Sequence, residues 1–462
     1  MIELSLREIA TAIAGEIVIG DPDLRVSGAV STDSRELGAG DIFFAKLGAN
    51  EDGHRYLKEV GDKGVSLAIV SSVDSSISIN QILVPDTVIA LSQLASYVLE
   101  RLRPNGLKVI GITGSNGKTS TKSMLAHMLQ DLGETLSPIG SYNNLVGLPL
   151  TVLRLTEATK FLILEYGAAG LGSIASLSSW TKPDVVAVLK VGMAHAGQWG
   201  GIETTAKIKA ELVHDAQRLV VLNADDPVVT SFQAPASVST KRFGFDSESD
   251  LRLISVSLSL EGTKIELEAN GERLKANLKI LGEHHAMNLA AALLMAIELG
   301  ANARSAIAAV EQLSYPERWR MQLSKAAPGY YVINDAYNAS PESTRAALQT
   351  LATLGRQGHR TIAVLGHMAE LGEFSAAEHD RIGRLVVRYN IDKLYAVGEG
   401  AKLIHMGAMQ EGSWDGESEY HESISTAFDA IREKLAPNDV VLVKASNSTG
   451  LRFLGDDLAG AK

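Results

Sequence analysis

The stretch GITGSNGKTSTK, Gly111 to Lys122, follows the apolar run Leu107–Ile112 and leads into a segment with Met124, Leu125, Met128, Leu129 and Leu132 on one helical face. The pattern predicts a buried strand, a glycine-rich turn and a helix stopped near Gly133. Free backbone N–H groups at a helix N-terminus, together with the helix dipole, make such a turn an anion seat. The strict phosphate-loop pattern requires glycine where Ile112 stands, and the glycines fall instead at Gly111, Gly114 and Gly117. Lys118 would bring a point charge to the β- and γ-phosphates, and Thr119 a hydroxyl for Mg²⁺. A glycine-rich turn carrying a surface lysine is the plainer alternative.

Outward from this loop, the apolar runs FLILE (161–165), DVVAVLKV (184–191) and RLVVLNADD (218–226) alternate with helix-sized segments. That rhythm predicts a parallel sheet covered by helices on both faces. From about Lys241 to Lys279 the period changes to two, with turns at Glu261-Gly262 and Asn270-Gly271, which predicts a small antiparallel sheet. Beyond Tyr315-Pro316 the strand-and-helix rhythm returns in YYVIND, TIAVLG, KLYAVG and DVVLVKAS, as in a second doubly wound unit. There Gly398-Glu399-Gly400 reads as a strand-to-helix turn. The chain is expected to be α/β, with domains over residues 1–84, 85–315 and 316–462.

Charge and composition narrow the function. Among 462 residues, 43 Lys+Arg against 54 Asp+Glu leave a net charge of −11, which disfavours nucleic acid as a partner. With no cysteine, disulfides, thiolate catalysis and Cys-based zinc sites are excluded. The first twenty residues lack the pattern of a signal peptide, and the most apolar helix candidate, Ala286–Leu299, is too short to span a bilayer. A cytoplasmic chain without an integral membrane segment is expected.

Several polar residues fall where chemistry is done in such folds. Glu165 ends the run FLILE, at the sheet edge where a magnesium-directed acid belongs, although a strand-end acid can also simply face water. His195, in VGMAHAG, is expected at the same edge. Lys207 and Lys209 follow on a helical segment, where a lysine pair is usually a solvated face. His284, His285 and Asn288 open an apolar helix, and the histidines read most simply as caps. Asp335 ends the strand of INDAYNASPES in the third region.

Taken together and in order, TGSNGKTST, Glu165, AHAG, KIKAE, VLNADDP, GEHHAMNLAAA and NDAYNASPES resemble the Mur ligase family. These enzymes join amino acids or peptides to UDP-N-acetylmuramate in cell-wall synthesis. YNNLVGLPLTVL (142–153), NDAYNASP (334–341) and LGHMAELGEFSAAEH (365–379) resemble the member that adds D-alanyl-D-alanine to a UDP-MurNAc-tripeptide, and DSRELGAGDIFFAKLGANEDGH (33–54) extends the likeness to the N-terminus. The resemblance implies three domains: a small N-terminal α/β domain for the UDP-MurNAc-peptide, a central P-loop parallel-sheet ATPase domain with a small antiparallel sheet, and a C-terminal Rossmann-like domain. It also implies a monomer. Another amide ligase of the same kind (a third-residue-adding ligase or a folylpolyglutamate synthase) and a P-loop NTPase switch are the competing readings.

The resemblance carries roles to individual positions. Gly114, Ser115, Asn116, Gly117, Lys118, Thr119 and Ser120 would hold the ATP phosphates, with Thr119 and Glu165 on one Mg²⁺ and His195 serving a second. Lys209 matches a lysine that is carbamylated in many relatives. Asn288 would contact adenine, Asp335 the ribose, and Arg320 would lie near the nucleotide. Asn143 and Asn144 would meet the peptide of the UDP-sugar, with Asn338 also near substrate, and Ser34, Arg35 and His54 would lie toward the uridine end. Lys444 and Ser446 would sit near the incoming dipeptide. The chain departs from the family pattern at Leu145, Tyr166, Lys190, Gln198 and His367 and in Ala445-Ser446-Asn447, which bears on fine substrate contacts.

Overall fold

A computed structural model describes residues 1–48, 51–140, 142–192, 199–313, 318–412 and 416–460. Three larger sheets divide the described residues. The first has five short strands in the order Glu16–Ile19, Asn80–Leu83, Leu67–Val70, Ile42–Phe44 and Val30–Ser31, parallel except at the Glu16–Ile19 edge. The third has six, with Val440–Lys444 at its centre between Tyr331–Asn334 and Thr361–Leu365, and one antiparallel edge strand, Gln322–Lys325.

The middle sheet has nine strands. Lys108–Thr113 is flanked in parallel by Val185–Val188 and Thr159–Glu165, so the C-terminal ends of three buried strands open on one crevice. The alternating segment expected as a small antiparallel sheet forms antiparallel strands that continue the edge of this one. Ser239–Gly244, too polar to stand out as a buried run, joins in parallel to Leu219–Asn223 and, through Phe243 and Gly244, to Leu251–Ser259. The antiparallel strands Gly262–Ala269 and Glu272–Leu278 complete it.

The first two sheets share a core. Helix Thr87–Leu102, capped by Asp86, buries Leu91, Leu94, Val98 and Leu99 in a cluster that runs from Ile9 and Ile69 to Leu164 and Val186. The change of sheet between Leu83 and Lys108 therefore falls inside one continuous hydrophobic core. The third domain meets the middle one across the crevice, where the Ser340 hydroxyl lies 3.4 Å from Asn116 Oδ1. Tyr315-Pro316, beyond which the third region is expected, lies outside the described residues.

Candidate active site

The glycine loop has the conformation its sequence implies. Gly114 and Gly117 take φ of +151° and +88°, values that side-chain-bearing residues rarely adopt. At Gly117 a Cβ would also collide with Asn288 Oδ1, so a hydrogen atom there lets helix Glu283–Glu298 close on the loop. Helix Lys118–Leu129 starts immediately after, and the first-turn amides of a helix have no intrahelical acceptor. Ser115 fixes the loop's other side by donating its amide to Lys190 O (2.8 Å) and accepting from Gly192 N (2.9 Å).

Lys118 folds back over the loop and donates to Gly114 O at 2.7 Å. Loss of hydration lowers its pKa, Arg320 acts in the same direction, and Glu165 opposes them. Glu165 is fully buried at the end of its strand. Its Oε2 accepts from Thr119 Oγ1 at 3.3 Å, while Oε1 has no hydrogen bond and lies 3.5 Å from Lys122 Nζ. A buried carboxylate oxygen without a donor, beside a hydroxyl at the anion seat, suits a hard divalent cation such as magnesium. That ion takes one or two protein oxygens and completes its shell with phosphate and water.

Lys122 went unnoticed in the sequence. It stands one helical turn beyond Lys118, is 2% exposed, and donates to the carbonyls of Pro138 (3.0 Å) and Gly140 (3.1 Å). A helix lysine is normally solvated, and only the fold reveals that this one faces inward.

Helix Ile202–His214 separates the two lysines expected as a pair: Lys207 is exposed and Lys209 is buried. Lys209 Nζ lies over the Trp199 ring, 5.6 Å from its centroid. Burial first, then the nearby charge of Lys118, drive its pKa well below the usual lysine value, against Glu211. His195, expected at the same sheet edge as Glu165, lies outside the described residues, as does Gln198.

Three cavities border this loop: one of about 560 Å³ touches it at Asn116 and Gly117, and the other two meet at Lys118. The larger, about 620 Å³, lies between the first two domains and is lined by Thr32, Lys46, Asn143, Asn144, Leu145, Trp199 and Lys209 among others. The smaller, about 330 Å³, lies between the middle and third domains. Asn116 to Ser120, Glu165, Asn288, Arg320, Asp335 and Asn338 line it. Ser115, Lys118 and Asn143 border both.

His284 and His285 are more than caps. Both line the smaller cavity, and His284 Nδ1 and His285 Nε2 are buried without partners. Burial holds His284 down to about 4, with Lys444 and Lys190 adding to that effect and Asp335 opposing it, and pushes His285 well below the ordinary imidazole range. Arg320 stacks on Tyr337 at 4.6 Å. Asp335 accepts from Met321 N (3.0 Å) and pairs with the buried Lys444 at 2.6 Å, and Lys444 also donates to Asn338 O (2.9 Å). Lys444 thus lines the smaller cavity held by Asp335, while Ser446 accepts from Ala369 N (2.9 Å).

The N-terminal residues behave differently. Ser34 is buried, Arg35 pairs with its neighbour Asp33 at 2.6 Å, and His54 bridges Asp52 (2.7 Å) and Ser71 N (3.0 Å). None of the three borders the larger cavity, to which this domain contributes Thr32 and Lys46.

Two family models match this architecture, the Mur ligase middle domain over residues 112–296 and the Mur ligase glutamate ligase domain over 319–447. The UDP-N-acetylmuramoyl-tripeptide–D-alanyl-D-alanine ligase of Mycobacterium tuberculosis (strain ATCC 25618 / H37Rv) is 38% identical, the match covering 99% of this chain and 98% of that one. The chain belongs to the Mur ligase family. Among solved structures, MurF from Acinetobacter baumannii superposes on this Mur ligase with a TM-score of 0.90 at 28% identity, covering 99% of each chain. MurF from Thermotoga maritima, solved in complex with ADP, does so with a TM-score of 0.83 at 26% identity over 94% of this chain and 97% of that one. Among the described residues, no helix of this Mur ligase is long and apolar enough to cross a membrane.

Proposed function

We propose that this Mur ligase joins D-alanyl-D-alanine to a UDP-N-acetylmuramoyl-tripeptide at the expense of ATP. The observation that carries the reading is Lys118, which borders both cavities at the anion seat. A nucleotide in the smaller cavity, with its phosphates on residues 114–120, brings its γ-phosphate to the point where the larger cavity opens. A peptide carboxylate reaching that point attacks the γ-phosphorus. The new P–O bond gives an acyl phosphate, and the bond to ADP breaks. The free amine of D-alanyl-D-alanine then attacks the activated carbonyl, a C–N bond forms, phosphate leaves, and the amine gives up a proton.

Two anions must meet for the first step, and the residues present answer that need. Lys118 screens their repulsion and stabilises charge on the transferring group. Thr119 and Glu165 would hold magnesium, which when bound adds further screening of the phosphate charge. A second ion is assigned to His195 and Lys209. Burial disfavours protonation of the Lys209 amine, and a neutral amine can add carbon dioxide, losing a proton to become an anionic carbamate suited to a metal. Asn288, Arg320 and Asp335 are assigned to the nucleoside end, and Asn143 and Asn144 to the peptide. Contact of Ser340 with Asn116 helps to keep water from the acyl phosphate.

The test is phosphate release with UDP-MurNAc-tripeptide and ATP, with and without D-alanyl-D-alanine and single amino acids. Release dependent on both the tripeptide and the dipeptide is expected. Equal release with a single amino acid, or without acceptor, would overturn the assignment.

A further inference from the structure

The larger cavity holds a lysine of the first domain, Lys46, in its wall. Its charged lining residues are Lys46, Lys118 and Lys209, and no aspartate or glutamate borders it among the described residues. Three carboxylates on the surrounding segments are already engaged. Glu211 accepts from the amides of Gly172 (2.6 Å), Ile174 (3.0 Å) and Ala175 (2.9 Å), Asp33 pairs with Arg35, and Glu165 faces Thr119 and Lys122. Residues 49–50, 141 and 193–198, which adjoin the lining in sequence, contain no acidic residue either. The remaining wall is largely apolar, with Leu145, Leu150, Leu177 and Trp199.

Lys46 differs from the other two lysines. Lys118 and Lys209 come from helices of the middle domain, whereas Lys46 comes from the first domain, just past strand Ile42–Phe44. Its backbone is anchored on both sides: Lys46 N donates to Phe44 O and Gly53 N to Lys46 O, each at 2.9 Å. The approach of Gly53 is close enough that a Cβ there would lie 2.7 Å from Lys46 N. No described carboxylate pairs with its ammonium, which is free to meet a ligand.

On the function proposed above, the acceptor's reacting carboxyl lies at Lys118, so the side chain of its last residue occupies this cavity. A lysine side chain ends in a lone ammonium. A diaminopimelate side chain ends in an ammonium and a carboxylate on one carbon, and is neutral overall. The Lys46 ammonium, a lining without aspartate or glutamate among the described residues and an apolar wall penalise the first, and the same lysine, without a described partner, favours the second. We propose that Lys46 is a specificity-determining residue that selects acceptor peptides whose last side chain carries a terminal carboxylate, as in diaminopimelate, over those ending in a lone ammonium.

The experiment measures calorimetric binding and kcat/KM for UDP-MurNAc-tripeptides ending in meso-diaminopimelate or L-lysine, with the wild type, Lys46→Gln and Lys46→Glu. A preference for diaminopimelate of at least about tenfold is expected, since a site built to pair a polar group discriminates strongly against its absence. Lys46→Gln should cut that preference to about threefold or less, acting mainly on the diaminopimelate peptide, and Lys46→Glu should favour the lysine peptide. Equal acceptance by the wild type would overturn the proposal. So would an equal loss for both peptides in Lys46→Gln, which would assign Lys46 to a group the two share, such as the diphosphate. If neither peptide is ligated, the proposed function falls, and the binding ratio still decides the role of Lys46.

Discussion

Replacing Lys122 by methionine keeps most of the apolar stem and removes the ammonium. Glu165, fully buried, then loses the cation 3.5 Å away, and the carbonyls of Pro138 and Gly140 lose their donor. Breaking a buried pair from one side costs about 3–5 kcal/mol, because the surviving charge stays desolvated. For a domain of this size each kcal/mol shifts the midpoint by about 2–4 °C, so Lys122→Met should lower it by roughly 6–20 °C. Glu165→Gln removes the stranded charge, so the double variant should recover at least about half of that loss. Differential scanning calorimetry on the wild type, both single variants and the double variant closes the cycle. A Lys122→Met midpoint within about 2 °C of wild type, or strictly additive losses in the double variant, would refute the reasoning.

Two further predictions rest on other elements. Gly117→Ala forces a left-handed backbone on alanine and a collision with Asn288, so KM for ATP should rise at least about tenfold with little change in binding of the UDP-substrate; an unchanged KM would contradict the close packing. His284, held down to about 4 by burial, binds its proton more readily in the unfolded chain. Its burial thus leaves stability intact above the ordinary histidine value near 6.5 and erodes it as pH falls toward 4, by on the order of 3 kcal/mol. In urea unfolding across that window, His284→Gln should flatten the acid limb, and an unaltered slope would contradict this origin.

The sequence disclosed what local pattern encodes. Strand, glycine turn and helix around Gly111–Lys122 were legible because apolar period, glycine placement and helix start agree. Glu165 was legible as a strand-end acid, but its missing hydrogen bond was not. Lys207 and Lys209 are alike in sequence, and only helix packing turns one outward and the other in. Lys122 was hidden for the same reason, since its partners lie 16, 18 and 43 residues away. Strand Ser239–Gly244 escaped because it lacks an apolar run, its place being set by pairing with Leu219–Asn223. Lys46 could not be found by pattern, because a cavity between two domains exists only after both have folded.

The central claim is that a peptide carboxylate meets a γ-phosphate beside Lys118. It is tested most directly by labelling the terminal carboxylate of UDP-MurNAc-tripeptide with ¹⁸O and analysing the phosphate released on ligation with D-alanyl-D-alanine. Acyl-phosphate chemistry transfers one labelled oxygen from the peptide to each phosphate formed. Phosphate without label, alongside normal amide product, would contradict the account.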